Sequence, residues 1–194
     1  VVGRVAAFVD RRSNEYLHET VGGFGFFECL DDFSVAQALL DAARDWVRQS
    51  GMSALRGPVN FDLNDQPGVL VEGADCPPAV LEAHTPPYYT ELLERYGLRR
   101  LRENHAWRVS LASLRDGMAA FPDQVLRVFS AATERGDVNI RKLRFEDWDR
   151  EVAIAHELFD STLRHLPEHV PLTDAEFRRF ADQMRALIDR DLAL

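Results

Sequence analysis

Several residue types are scarce in this 194-residue chain, and each shortage closes off a class of protein. Two cysteines, Cys29 and Cys76, are too few for a disulfide framework. Lysine occurs once, at Lys142, against 22 arginines; the skew fits a GC-rich bacterial genome. Basic residues are outnumbered, 23 to 32, giving a formal net charge of −9. A nucleic-acid binder replaces counterions on phosphates with Lys and Arg, so this balance argues against one, and it disfavours an anionic membrane surface. No apolar run approaches the roughly 18 to 20 residues that span a bilayer. Low complexity, tandem repeats and a signal peptide are also missing from the pattern. The expectation from these absences is a cytoplasmic globular protein. With 46% hydrophobic and 28% charged residues, the composition is that of an ordinary folded domain.

Periodicity then organises what is present. Residues 1–10 and 21–30 read as two strands of a hairpin, with residues 11–20 as a long loop between them. Asp31 and Asp32 supply N-cap chemistry for a helix. Its apolar positions are Val35, Leu39, Ala42, Ala43, Trp46 and Val47, and Ser50-Gly51 stops it. Residues 52–59 read as a third strand. Asparagine, proline and glycine then fill residues 60–87, a connection long enough to suggest a functional loop. Tyr89, Leu92, Leu93 and Tyr96 mark a short helix from about Tyr88, ended by Gly97. Residues 98–111 read as one or two strands. Pro122 opens a linking helix to about Glu134. Residues 138–143 read as a strand, and residues 145–164 as a helix with Trp148, Val152, Ala155 and Phe159 on one stripe. Thr173-Asp174-Ala175-Glu176 is a capping box, with Leu172 placed to staple onto Phe177. The pattern implies a mixed α/β fold with flanking helices. Residues 1–112 and 137–194 form two parts joined by the linking helix, 113–136. The chain opens without Met and stops within what reads as a strand, so a fragment of a longer protein is expected.

Motifs for several chemistries are missing. No Cys-x-x-Cys or His-Glu-x-x-His occurs, and Pro167 breaks the spacing of His165 and His169, so no metal site is expected and the histidines read as solvated loop residues. Gly22-Gly23-Phe24-Gly25 lies inside a strand pattern rather than between a strand and a helix, so it reads as close backbone packing and not as a dinucleotide loop. A Walker A sequence and a Gly-x-Ser-x-Gly elbow are both absent.

The order hairpin, helix, strand, short helix ending Tyr96-Gly97-Leu98 and final strands resembles the second half of the GNAT (acyl-CoA N-acyltransferase) fold. Further similarity to a bacterial GNAT-like subgroup rests on Phe24-Gly25-Phe26-Phe27-Glu28-Cys29, Arg56-Gly57-Pro58-Val59-Asn60, Asn64-Asp65 and Pro86-Pro87-Tyr88-Tyr89. Residues 137–194 then resemble the start of a second such domain. The two parts are expected to complete each other within one chain or, in a homodimer, between chains. The resemblance implies acyl transfer from acetyl-CoA or another acyl-CoA to a small-molecule amine. In the family an Arg/Gln-x-x-Gly-x-Gly/Ala turn binds the CoA pyrophosphate at a helix start. Setting Ala38-Leu39-Leu40 on the family's small-Leu-Leu stretch puts that turn on residues 31–36. Ala36 fits, Ser34 replaces a glycine, and Asp31 stands where Arg or Gln is usual.

Under the resemblance, Ser34, Val35 and Ala36 would contact the cofactor phosphates, and backbone at Phe27 and Cys29 would meet the thioester. Glu28 is the acid/base candidate, with an exposed strand carboxylate as the plain alternative. The family's proton-donating tyrosine position holds Leu93, so Tyr89 or Tyr88 would have to substitute; the plainer reading of Tyr89 is a core residue on the stripe it shares with Leu92, Leu93 and Tyr96. Asn60, Asn64 and Asp65 are candidate substrate ligands, or simply turn formers. Arg95, Arg99, Arg100, Arg102 and Arg108 would attract an anion, or form a solvated face. The altered turn and Leu93 leave a second function open: a catalytically inactive module of the same fold that binds a ligand or a partner. A third, an interaction scaffold, predicts a large exposed apolar patch.

Overall fold

The computed structural model describes residues 1–61, 67–78, 82–108, 110, 121–134, 141–166 and 169–193. The architecture is mixed α/β, in two compact units, Val1–Ala106 and Trp107–Leu194.

The first unit is built on a three-stranded sheet in the order β1-β2-β3: β1 (Gly3–Phe8), β2 (Val21–Cys29) and β3 (Ala54–Arg56). β1 and β2 are antiparallel, and β3 runs parallel to the start of β2. The segment joining the hairpin strands is a helix rather than a loop: α1 spans Arg11–Leu17. Local hydrogen bonds make it one. The Asp10 carboxylate accepts from the Ser13 backbone N–H (2.9 Å) and hydroxyl (2.5 Å), and His18, in the left-handed region at φ 56°, ends it. Asn14 then ties α1 to the sheet, donating to the Val21 carbonyl (2.8 Å) and accepting from the Val21 N–H (3.0 Å).

Helix α2 (Phe33–Gln49) crosses from β2 to β3. Its innermost residues are Ala36, Leu40, Ala43 and Val47, with Val35 and Leu39 half-buried beside them. Trp46 and Ala42, expected on this face, are exposed. Ala43 and Val47 are buried as expected, and the stripe continues through Ala36 and Leu40 rather than through Ala42 and Trp46. Helix α3 (Tyr88–Tyr96) contributes Tyr89, Leu92 and Leu93, and Gly97 closes it at φ 104°, a conformation that costs glycine least. One core joins Phe24, Phe27 and Cys29 of β2 to these helices. Phe24 and Leu40 are fully buried, each contributing roughly 1.5–3 kcal/mol of apolar burial.

Two expected strands are shorter or missing. β3 covers three residues of the 52–59 segment, because the chain turns away at Gly57-Pro58 and proline brings no N–H to the ladder. Described residues in 98–111 form no strand. Residues 99–108 are exposed and largely charged, and Arg100 is engaged with Glu94 (2.9 Å) and Glu103 (3.1 Å) instead.

The second unit holds α4 (Asp123–Glu134), α5 (Trp148–Leu163) and α6 (Asp174–Met184). Pro122 immediately precedes α4. A 3-10 turn, Phe145–Asp147, leads into α5. Trp148, Val152 and Phe177 form the core of α5 and α6, with Leu172, Phe159 and Ile188 packed on it; Ala155 is exposed. The capping box at Thr173 and Glu176 is complete in both directions. Residues 138–140 of the expected strand lie outside the described residues; Leu143 N–H donates to the Ala193 carbonyl (3.1 Å).

Candidate functional site

The candidate residues of the first unit converge on the end of β2, and a bulge puts them there. Arg4 pairs with Glu28 and Ala6 with Gly25, so Val5 alone stands opposite both Phe26 and Phe27. Phe26 takes up the extra residue at φ 49°, a left-handed conformation that costs a non-glycine residue roughly 1 kcal/mol or more. Asn60 holds it: its side-chain oxygen accepts from the Phe26 N–H at 2.8 Å. The bulge resets the alternation of β2. Phe27 and Cys29 turn into the core beside Phe24, and Glu28 turns outward.

Two adjacent tyrosines of α3 then cover the open edge of β2 beyond β3. Tyr88 donates its hydroxyl to the Cys29 carbonyl (2.9 Å). The Tyr89 hydroxyl accepts from the Cys29 N–H (3.0 Å) and donates to Glu28 Oε2 (3.0 Å). The Tyr89 ring is buried, edge-on to Phe27 and Tyr88 at 5.3 and 5.2 Å. Core packing and a polar contact are therefore both true of Tyr89. Burial, then the bond to Glu28, push its pKa up to about 12, against the lowering effect of the Cys29 N–H. The phenol stays protonated at neutral pH and acts as a donor. Glu28 also faces Arg4 at 3.6 Å, an exposed pair of little energetic weight. A cavity of about 220 Å³ opens here, lined by Val1 and Val2, by Gly3 and Arg4 of β1, and by Glu28, Cys29 and Leu30.

At the junction of β2 and α2 the Asp32 carboxylate caps the helix, accepting from the Ser34 N–H (2.8 Å) and hydroxyl (2.7 Å). These bonds from Ser34 hold the Asp32 pKa below the usual carboxylate value. One donor of the helix start is thus already occupied by an anion of the protein's own, and Ala36 N–H bonds within the helix to the Asp32 carbonyl (3.1 Å). The fit of this turn to a pyrophosphate is poor: Asp31 and Asp32 repel it, and the Arg95 guanidinium beside the helix start lies over the Phe33 ring, 4.0 Å from its centroid. The Cys29 thiol is buried, and its pKa is raised, first by that burial and then by Asp32 and Asp31.

The structure therefore brings Glu28, Tyr89, Phe27 and Cys29 together, with Asn60 at the bulge and Ser34, Val35 and Ala36 at the helix start that follows. Asn64 and Asp65 lie outside the described residues. The bulge and the Arg4 pairing were not legible in the sequence. Phe24, Phe26 and Glu28 share one face of a regular strand, and nothing local marks the slip.

In the second unit, two histidines are not the solvated loop residues expected. His156, on α5, stacks on Phe177 at 4.6 Å and lies 2.9 Å from the Leu172 carbonyl. His169 is nearly buried, 3.3 Å from Asp160. Apolar packing against Phe177 and Phe159 draws both rings inward. Among the described residues, no three His, Cys, Asp or Glu side chains are arranged to hold a metal ion.

Two bacterial proteins are similar to the chain over nearly its whole length. Protein YghO of Escherichia coli (strain K12) is 30% identical over 194 residues, 99% of this chain and 47% of that protein. The bacterial ceramide synthase of Caulobacter vibrioides is 30% identical over 192 residues, 98% of this chain and 48% of that protein. The chain spans about half the length of the curated relatives it matches. No family model matches it, and no solved structure does. Among the described residues, no helix is long and apolar enough to cross a membrane.

Proposed function

We propose that the chain is part of an N-acyltransferase of GNAT type, which passes an acyl group from an acyl-CoA thioester to an amine. The observation that carries this is the Cys29–Tyr89–Glu28 arrangement: a buried phenol that bonds the backbone of the strand end and fixes an outward carboxylate beside a cavity. The name of the Caulobacter relative supports it, since a ceramide is a fatty-acyl amide of a long-chain amino alcohol. In this scheme Glu28 takes a proton from the ammonium of the acceptor. The freed nitrogen attacks the thioester carbonyl carbon, the C–S bond breaks, and the proton the nitrogen sheds on becoming an amide passes to the leaving thiolate, which departs as the thiol. Tyr89 is a positioning residue: it keeps its proton and orients Glu28.

The test is amide formation from acyl-CoA and amines by the purified protein, with E28Q as the variant. Loss of kcat in E28Q at retained fold supports the proposal; an E28Q rate equal to wild type refutes the base role. The Asp32 cap favours a second function, a non-catalytic module of the same fold, because the donor a phosphate would use is taken. Calorimetry with acyl-CoA on wild type and D32N separates the two. Binding that strengthens in D32N, which keeps a cap but loses a charge, supports the enzyme; no heat from either protein at millimolar ligand supports the module.

A further inference from the structure

Strand β1 is an edge of the sheet: among the described residues it pairs with β2 alone. Two bonds fix which of its backbone groups face outward. Leu30 N–H donates to the Val2 carbonyl (3.2 Å), and the Cys29 N–H turns the other way, to Tyr89. Strand alternation then points Val2, Arg4, Ala6 and Phe8 at β2, and leaves the N–H and C=O of Gly3, Val5 and Ala7 at the outer edge. The bulge lies in β2, so β1 keeps this alternation along its length. An open edge is a template for another strand, and proteins blunt it with proline, lysine or a bulge. The β1 residues, Gly-Arg-Val-Ala-Ala-Phe, include none of these devices. Their one charge, Arg4, is turned to Glu28 of β2.

Helix α2 has a second unused surface on the same side, because its two flanks differ. Tyr96 donates its hydroxyl to Asp41 (2.8 Å) and accepts from Arg44 (3.1 Å), and Arg95 covers Phe33, so that flank faces α3. The opposite flank carries Val35, Leu39, Ala42 and Trp46, and it lies toward β1. A Cβ on Gly3 would stand 2.7 Å from the Leu39 side chain and 3.3 Å from that of Val35. Val35 and Leu39 reach the core, whereas Ala42 is exposed and Trp46 is 45% exposed. An indole held half in water on an apolar flank, beside an open strand edge, contributes nothing to the core of the first unit.

We infer that this side of the first unit binds a second copy of the chain, β1 against β1 and α2 against α2. A copy fits better than any other strand because one two-fold axis, perpendicular to the sheet, serves both surfaces at once. Antiparallel pairing centred on Ala6 sets Val5 opposite Ala7 of the mate, so the outward backbone groups exchange hydrogen bonds. It also sets Arg4 opposite Phe8 rather than opposite a second arginine, which avoids like charges across the pair. The two sheets become one, with both α2 helices on the same face. Leu39 stands over Gly3, and Val47 stands over Gly22, next to the residue that pairs with Phe8. Helix α2 therefore runs along β1, and the axis passes near Ala42. The small side chain there lets the antiparallel helices approach, and Trp46 turns to the Leu39 flank of the mate.

Light scattering of the purified protein during size-exclusion chromatography, across the micromolar range, tests this. Wild type is expected at twice the mass of one chain. A42E sets two carboxylates against each other near the axis, at a helix position already exposed, and is expected to run as a monomer with the far-ultraviolet signal of wild type. A42R is expected to do the same, and an equimolar mixture of A42E and A42R to recover the dimer. A7P removes one outward donor and no bond to β2, and is also expected to be monomeric. The amides of Gly3, Val5 and Ala7 are expected to exchange slowly in wild type and faster in A42E. A wild type that is monomeric throughout, or an A42E protein that stays dimeric, overturns the inference. So does a monomer in which those three amides are protected, because a strand of the same chain then occupies the edge.

Discussion

Replacing Tyr89 with phenylalanine tests the centre of the candidate site with one atom. The ring stays, and with it the edge contacts to Phe27 and Tyr88. The hydroxyl goes, leaving the Cys29 N–H without its acceptor inside a core where Cys29 is 6% exposed. An unsatisfied buried donor costs about 1–3 kcal/mol. The second bond lost, to Glu28, adds little because water reaches that carboxylate. The expected result is a loss of about 1–3 kcal/mol for the first unit, with faster amide hydrogen exchange at Cys29 than in wild type. The pH profile gives the sign independently. Tyr89 has a folded pKa of about 12 against 10 when free, so its contribution is complete below pH 10 and fades as pH rises toward 12. Tyr96, bonded to Asp41 at 2.8 Å and also raised to about 12 by burial and that bond, behaves the same way. Y89F should therefore lose stability less steeply than wild type above pH 10. Equal stability of Y89F and wild type, with unchanged exchange at Cys29, would refute the account of this hydroxyl.

Other outcomes are as specific. G25A should destabilise the first unit by about 1–3 kcal/mol or more, read from denaturant midpoints, since the added carbon meets the rigid Val59 carbonyl rather than a movable side chain. One thiol per native chain, Cys76, should react quickly with a disulfide reagent, and Cys29 only on unfolding, as exposure and the raised Cys29 pKa require. T173A should cost the second unit roughly 1 kcal/mol by opening the capping box, with the helical signal of α6 falling first on heating. In a native phenol titration, two of the four tyrosines should ionise late, near pH 12.

Local chemistry was legible where a residue acts on its own neighbours. The aspartate cap of α2, Gly97 ending α3 and the Thr173 box all depend on residues acting on backbone a few positions away, and the sequence was enough to place them, with the choice of Asp32 over Asp31 left to the structure. The stripe Tyr89, Leu92, Leu93 likewise follows from helical period, which needs no partner to be seen. Features that depend on distant chain were decided only by tertiary structure. Residues 98–108, expected to carry a strand, form none: they are exposed, and Arg100 is engaged with Glu94 and Glu103 instead of a sheet edge. Glu28 faces outward because Val5 of one strand meets two residues of the other and Asn60, from a later loop, holds Phe26 at the slip. A one-residue change of register reverses every side chain beyond it. The sequence therefore named Glu28 and Tyr89 as candidates, but only packing across a separation of 61 positions brought the hydroxyl to the carboxylate.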